Sequence, residues 1–166
     1  MTHIPEGRRI GVIGGARADI ASLEAAGQVG RLIAGAGAIL VCGGLGGVME
    51  AAARGAKAAG GLTVGILPGS SPADANPFID VPIATGLGFT RNSLVAMNAD
   101  ALIAIDGEYG TLSEIAYGII LGKRVIGLGT WEIRGVLPAK SPEEAVSLAL
   151  RSPSPSDDSK DGKNSR

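Results

Sequence analysis

Short, almost wholly apolar runs alternate along this chain with longer stretches in which apolar residues return every three or four positions. Runs at residues 9–13, 38–41, 62–67 and 101–105 read as strands covered on both faces, because a half-exposed strand would alternate polar and apolar positions instead. Shorter strands are expected at 81–84 and 125–128. Helical periodicity marks residues 20–36, where Leu23, Ala26, Gly30 and Ile33 fall near one face, then 47–59, 90–99, 111–122 and 142–150. Ser141 and Glu144 have capping-box spacing for the last of these.

Strands that alternate with helices predict an α/β fold: a doubly wound, mostly parallel sheet with helices on both faces and right-handed crossovers. Such a sheet binds ligands beyond the carboxyl ends of its strands. The 166 residues suit one domain that buries roughly 70% of its unfolded surface. We place that domain at residues 1–151. Residues 152–166 hold no Val, Ile, Leu or aromatic side chain, and are expected to be a disordered tail because they cannot offset their ordering entropy. The Pro-, Ser- and Asp-rich loop at 68–82 is long enough to serve function, such as covering a ligand.

Candidate chemistry sits where apolar runs give way to helices. At 106–114 the chain reads Asp-Gly-Glu-Tyr-Gly-Thr-Leu-Ser-Glu, and at 42–50 Cys-Gly-Gly-Leu-Gly-Gly-Val-Met-Glu. Glycines permit tight turns, and the first-turn amides of the following helices can meet an anion. Candidate ligand contacts are therefore Gly43, Gly44, Gly46, Gly47, Met49 and Glu50 in one junction, and Gly107, Gly110 and Thr111 in the other. A third turn, Gly14-Gly15-Ala16-Arg17, could bring Arg17 to a phosphate. Neither junction follows the G-x-G-x-x-G pattern, and Gly-Lys-Ser/Thr is absent, which disfavours conventional NAD and Walker-type sites.

The formal net charge of −1, without a basic cluster or an aromatic row, argues against a nucleic-acid partner. No apolar run approaches the ~20 residues of a membrane span, and no cleavable leader opens the chain, so a cytoplasmic protein is expected. Cys42 has no intramolecular partner, and with His3 it is too little for a metal centre, so no metal is expected.

The chain resembles the Lonely Guy (LOG)-like proteins, once called putative lysine decarboxylases, and the molybdenum-cofactor carriers of the same Rossmann-like SLOG superfamily. Gly107, Gly110, Thr111 and Glu114 match the signature Pro-Gly-Gly-x-Gly-Thr-x-x-Glu. Thr90-Arg91-Asn92 resembles the family's Arg-Lys helix start, and the turn at 43–49 its Gly-Gly-Gly-x-x-Gly-Leu-Met turn. Asp106 stands where the family has proline, Glu108 where it has the second glycine, and Asn92 where it has lysine, which brings the sequence closer to the carrier-type branch.

For a LOG-like enzyme the resemblance implies hydrolysis of the N-glycosidic bond of a nucleoside 5′-monophosphate. Glu114 would then stabilise the oxocarbenium-like state or deprotonate water, and Arg91 would orient it or hold the substrate. For a carrier or sensor it implies bound molybdopterin or a nucleotide, with no cofactor required for chemistry. No lysine stands out as a Schiff-base former, which sets pyridoxal chemistry aside. Related proteins are homodimers or larger homo-oligomers, and the apolar residues of 111–122 suit a subunit contact. Simpler helix physics competes for the same residues: Thr111 and Glu114 have capping-box spacing, and Glu50 suits the positive end of its helix.

Overall fold

The apolar runs become the strands of one seven-stranded, all-parallel sheet in the computed structural model, which describes residues 7–151. The strands are β1 (Arg9–Gly14), β2 (Ile39–Cys42), β3 (Thr63–Leu67), β4 (Val81–Ala84), β5 (Ala101–Ile105), β6 (Arg124–Leu128) and β7 (Val136–Pro138). Their order is β4-β3-β2-β1-β5-β6-β7, so the direction of winding reverses between β1 and β5. This Rossmann-like arrangement matches the expected fold class. The proposed tail at 152–166 and His3 lie outside the described residues.

Helices α1 (Ile20–Gly35), α2 (Val48–Ala58) and α5 (Pro142–Leu150) cover one face, over a core that includes Ile10, Val12, Ile33, Leu40 and Ile103. Helices α3 (Asn92–Met97) and α4 (Tyr109–Ile120) cover the other, over Ile13, Val41, Val95, Leu102 and Ile115. Each fully buried Leu or Ile contributes roughly 1.5–3 kcal/mol, so both layers are held chiefly by aliphatic burial. Helices α1 and α2 approach closely because glycine stands at the contact. A Cβ on Gly30 would lie 1.9 Å from the Ala52 carbonyl oxygen, and one on Gly55 2.0 Å from that of Gly27.

The local starts differ in kind. Asp19 caps α1 by accepting from the Ser22 amide at 2.8 Å. Ser141 caps α5 through the Glu144 amide at 3.2 Å, while the Glu144 carboxylate takes the Lys140 amide at 2.7 Å. Neither α2 nor α4 has a side-chain cap. The expected Thr111–Glu114 capping box is corrected here, because α4 begins at Tyr109 with Glu108 at the cap position. Thr111 therefore lies inside the first turn, buried.

Two further departures concern short pieces. The helix expected at 90–99 is a 3-10 turn, Gly88–Arg91, followed by α3. The edge strand β7 was not expected. The loop at 68–82 is pinned beside the second glycine turn: the Asn76 amide donates to the Gly44 carbonyl at 2.9 Å, and its side chain to that of Leu45 at 2.9 Å. Among the described residues, no helix is long and apolar enough to cross a membrane.

Candidate functional site

A crevice of about 420 Å³ opens at the carboxyl ends of the strands, within the size range of small-molecule sites. Gly14, Gly15 and Ala16 enter it from the end of β1, Leu45 from the glycine turn after β2, Met49 from the first turn of α2, and Pro68 from the end of β3. Gly88, Phe89, Arg91 and Asn92 form another side, opposite Glu108, Gly110, Thr111 and Glu114. The winding reversal produces this gap, because the connections after β1 and β5 leave towards opposite faces of the sheet.

Arg91 and Glu114 stand at the floor, 8% and 6% exposed, with guanidinium and carboxyl 3.8 Å apart. Arg91 also donates to the Gly43 carbonyl at 3.3 Å and to the Asn92 side-chain oxygen, yet its buried Nε has no partner. Burial pushes the Glu114 carboxyl up to about 8, while the Arg91 charge pulls it the other way. Burial also lowers Arg91, with Glu114 opposing. A guanidinium keeps its proton at any ordinary pH, so the protonation change falls on Glu114. Burial thus weakens the counter-charge that Glu114 offers Arg91.

Asn92 couples the floor to α4. Its Nδ2 donates to Ser113 Oγ at 3.0 Å and to the Gly110 carbonyl at 3.4 Å, while its Oδ1 accepts from Arg91. Where the family pattern has lysine, this chain thus has a buried clamp between the start of α3 and the first turn of α4. The first intrahelical amide of α4 is that of Leu112, bonded to the Glu108 carbonyl at 3.0 Å. The Tyr109, Gly110 and Thr111 amides have no intrahelical acceptor, and with no side-chain cap they form an anion-receptive end beside Arg91.

The turn into α4 holds a non-glycine residue at positive φ. Asp106 has φ 50° and Gly107 φ 124°. Proline, fixed near φ −65°, could not take the Asp106 conformation. The Asp106 carbonyl accepts from Thr130 Oγ1 at 2.7 Å, which holds the turn against the β6–β7 connection.

The turn at 43–47 supports the crevice from behind. A Cβ on Gly43 would sit 2.7 Å from both an Arg91 nitrogen and the Met49 sulfur, and one on Gly47 2.2 Å from the Gly15 carbonyl oxygen. The Gly44 amide donates to Cys42 Sγ at 3.4 Å, and the Val48 amide to the Gly15 carbonyl at 3.0 Å. Burial pushes the Cys42 thiol up to about 12, which leaves it inert as a nucleophile.

Of the residues singled out in the sequence, Gly14, Gly15, Met49, Arg91, Gly110, Thr111 and Glu114 border the crevice. Gly43 touches Arg91 from behind, whereas Gly44, Gly46, Gly47, Glu50, Gly107 and Arg17 are not in its wall. Ala16, Leu45, Pro68, Gly88 and Phe89 border it without having been marked. Phe89 carried a signal, since it is one of only two phenylalanines and lies within a polar, glycine-rich stretch.

Residues 7–154 match the SLOG cluster4 family. An uncharacterised protein of Archaeoglobus fulgidus is 47% identical over 145 residues, covering 87% of this chain and 95% of that protein. The molybdenum cofactor binding protein of Rippkaea orientalis is 38% identical with TM-score 0.81, covering 86% of this chain and 94% of that one. The molybdenum cofactor carrier protein of Chlamydomonas reinhardtii is 34% identical with TM-score 0.76, covering 85% and 94%. A cytokinin riboside 5′-monophosphate phosphoribohydrolase of Mycobacterium tuberculosis is 40% identical over 97 residues, 56% of this chain and 51% of that protein.

Proposed function

The chain belongs to the SLOG cluster4 family, and from that premise we propose that it is a binding protein whose crevice carries an anionic, phosphorylated heterocycle of the molybdopterin class as cargo, unchanged. The observation that carries this reading is the buried Arg91 guanidinium, whose Nε lacks a partner and whose neighbour Glu114 is pushed towards its neutral form. An anion beside Arg91 would supply counter-charge, and the amides of Gly110 and Thr111 would add hydrogen bonds to it. Two cofactor-binding neighbours cover nearly the whole fold, which supports the same reading.

A second reading is hydrolysis of a nucleoside 5′-monophosphate, in which water adds to the anomeric carbon, the N-glycosidic bond breaks and the base leaves with a proton. Retention of Arg91 and Glu114 and the half-length similarity to a phosphoribohydrolase favour it. The cofactor-binding neighbours cover nearly the whole chain whereas the phosphoribohydrolase similarity spans about half of it, which places this reading second.

One experiment separates the two. The protein is purified from cells that make the molybdenum cofactor, then denatured and oxidised, and the released fluorescent pterin is counted per chain. In parallel the parent, Glu114→Gln and Arg91→Ala are incubated with a panel of nucleoside monophosphates. Pterin near one per chain with no free base supports carriage. Free base from the parent but from neither variant, with no pterin, overturns it in favour of hydrolysis. We further propose a cytoplasmic homo-oligomer that associates through the α3–α4 side, where Met97, Tyr117 and Ile120 are exposed.

A further inference from the structure

Phe89 is 87% exposed although the residue lines the crevice. It does not sit on a loose loop. The Gly88 amide donates to the Pro68 carbonyl at 3.0 Å, the Gly86 amide to that of Gly69 at 2.9 Å, and Thr85 Oγ1 to that of Leu67 at 2.6 Å. Gly86 and Gly88 adopt φ 67° and 57°, which turns the chain over so that Phe89 stands at the lip. The other aromatic ring near this end, Tyr109, is stacked on Trp131 at a centroid distance of 6.3 Å. Phe89 is thus an aromatic residue on an anchored stretch of backbone, lining the crevice and open to water.

Glu108, also on the crevice wall, holds the cap position of α4 without capping it. Its exposed carboxylate forms no ion pair with a described residue. A carboxylate there opposes an anion at the mouth and so favours the deeper position beside Arg91 for a phosphate. With its two oxygens it suits a ligand edge that presents two parallel N–H donors.

We propose that Phe89 and Glu108 select the ring of the ligand: a planar heterocycle lies against Phe89, and its adjacent ring N–H and exocyclic amino group donate to the Glu108 carboxylate. Guanine (2-amino-6-oxopurine) and pterin (2-amino-4-oxopteridine) share this edge, whereas hypoxanthine and lumazine lack the amino group. The inference rests on the reading of the crevice as a phosphorylated-heterocycle site and adds the ring class that it accepts.

The test is isothermal titration of the full chain with two matched pairs, GMP against IMP and 6-hydroxymethylpterin phosphate against its lumazine counterpart, with inorganic phosphate alongside. The amino-bearing member of each pair is expected to bind about tenfold tighter. Glu108→Gln should bring each ratio within about twofold, since an amide presents one acceptor in place of two. Phe89→Ala should weaken every heterocycle about tenfold while leaving inorganic phosphate unchanged, and Phe89→Tyr should restore binding. A tighter pterin pair identifies a pterin as the source of the edge, and a tighter GMP pair a guanine nucleotide. Both positions are exposed, so melting temperatures should stay at the parent value. Ratios that survive Glu108→Gln, or a Phe89→Ala loss that extends to phosphate, overturn the inference alone. Failure of every probe to bind the parent overturns the underlying crevice reading as well.

Discussion

The Arg91 guanidinium and the Glu114 carboxyl stand 3.8 Å apart, close enough to feel each other's charge and too far for a direct hydrogen bond. Both are buried, so neither is solvated, and the pair does not neutralise itself as a tight bidentate contact would. Burial dominates the carboxyl and holds it near 8. The crevice floor therefore holds a buried guanidinium whose neighbouring carboxyl is shifted towards its neutral form.

Stability should report this directly. Glu114 ionises near 4.5 when unfolded and near 8 when folded, so the folded state binds the extra proton between those values. Its contribution is fully present below about 4.5 and is lost as pH rises through 8. Urea unfolding at pH 5 and pH 8.5 should show the parent losing about 3–5 kcal/mol more than Glu114→Gln across that window. Parallel losses in both proteins would mean that the carboxyl is ionised throughout.

Binding should move a proton. An anion placed beside Glu114 disfavours its carboxylate further, so ligand binding at pH 8, where a phosphate monoester is already a dianion, should take up a fraction of a proton. Calorimetry of GMP binding in buffers of different ionisation enthalpy measures the uptake, and release of a proton would contradict the placement. For the same reason, any release of base from a nucleoside monophosphate should increase from pH 7 to pH 9.

The sequence made the layer arrangement legible because strands such as 101–105 are apolar at every position, which only a doubly covered sheet requires. It did not reveal β7, whose three residues end in a proline at a sheet edge and give almost no periodic signal. Arg91 and Glu114 were found through motif order rather than spacing, since 23 positions separate them and only the β5 crossover brings them together. Thr111 was misread as a cap because Tyr109 and Gly110 resembled loop, yet the helix had already begun. Phe89 was passed over because its glycine-flanked context hid the bonds that Gly88 and Thr85 donate to the Pro68 and Leu67 carbonyls.

The turn before α4 carries its own prediction. Asp106 sits at φ 50°, where a non-glycine residue costs roughly 1–2 kcal/mol. Asp106→Gly should leave stability within about 1 kcal/mol of the parent, because relief of strain is offset by glycine's greater unfolded freedom. Asp106→Pro, which introduces the proline of the LOG-type signature, should destabilise by about 3 kcal/mol or more, because its ring forbids this φ. Chemical denaturation of the three proteins checks the order.

Two glycines should behave oppositely. Gly30→Ala forces a methyl onto the Ala52 carbonyl at the α1–α2 contact and should cost about 1–3 kcal/mol. Gly46→Ala meets nothing closer than 3.9 Å and is not in the crevice wall, so melting and ligand affinity should both stay near the parent values. Weaker binding in Gly46→Ala would return that turn to the ligand site.

The measurement that bears most directly on the central claim is the affinity of the parent and of Arg91→Gln for 6-hydroxymethylpterin phosphate, by isothermal titration at pH 7. The account predicts at least about a tenfold loss in the variant, since a charge-assisted contact to the anion is removed. Equal affinity in the two proteins would show that the ligand is held without Arg91 and would contradict the account.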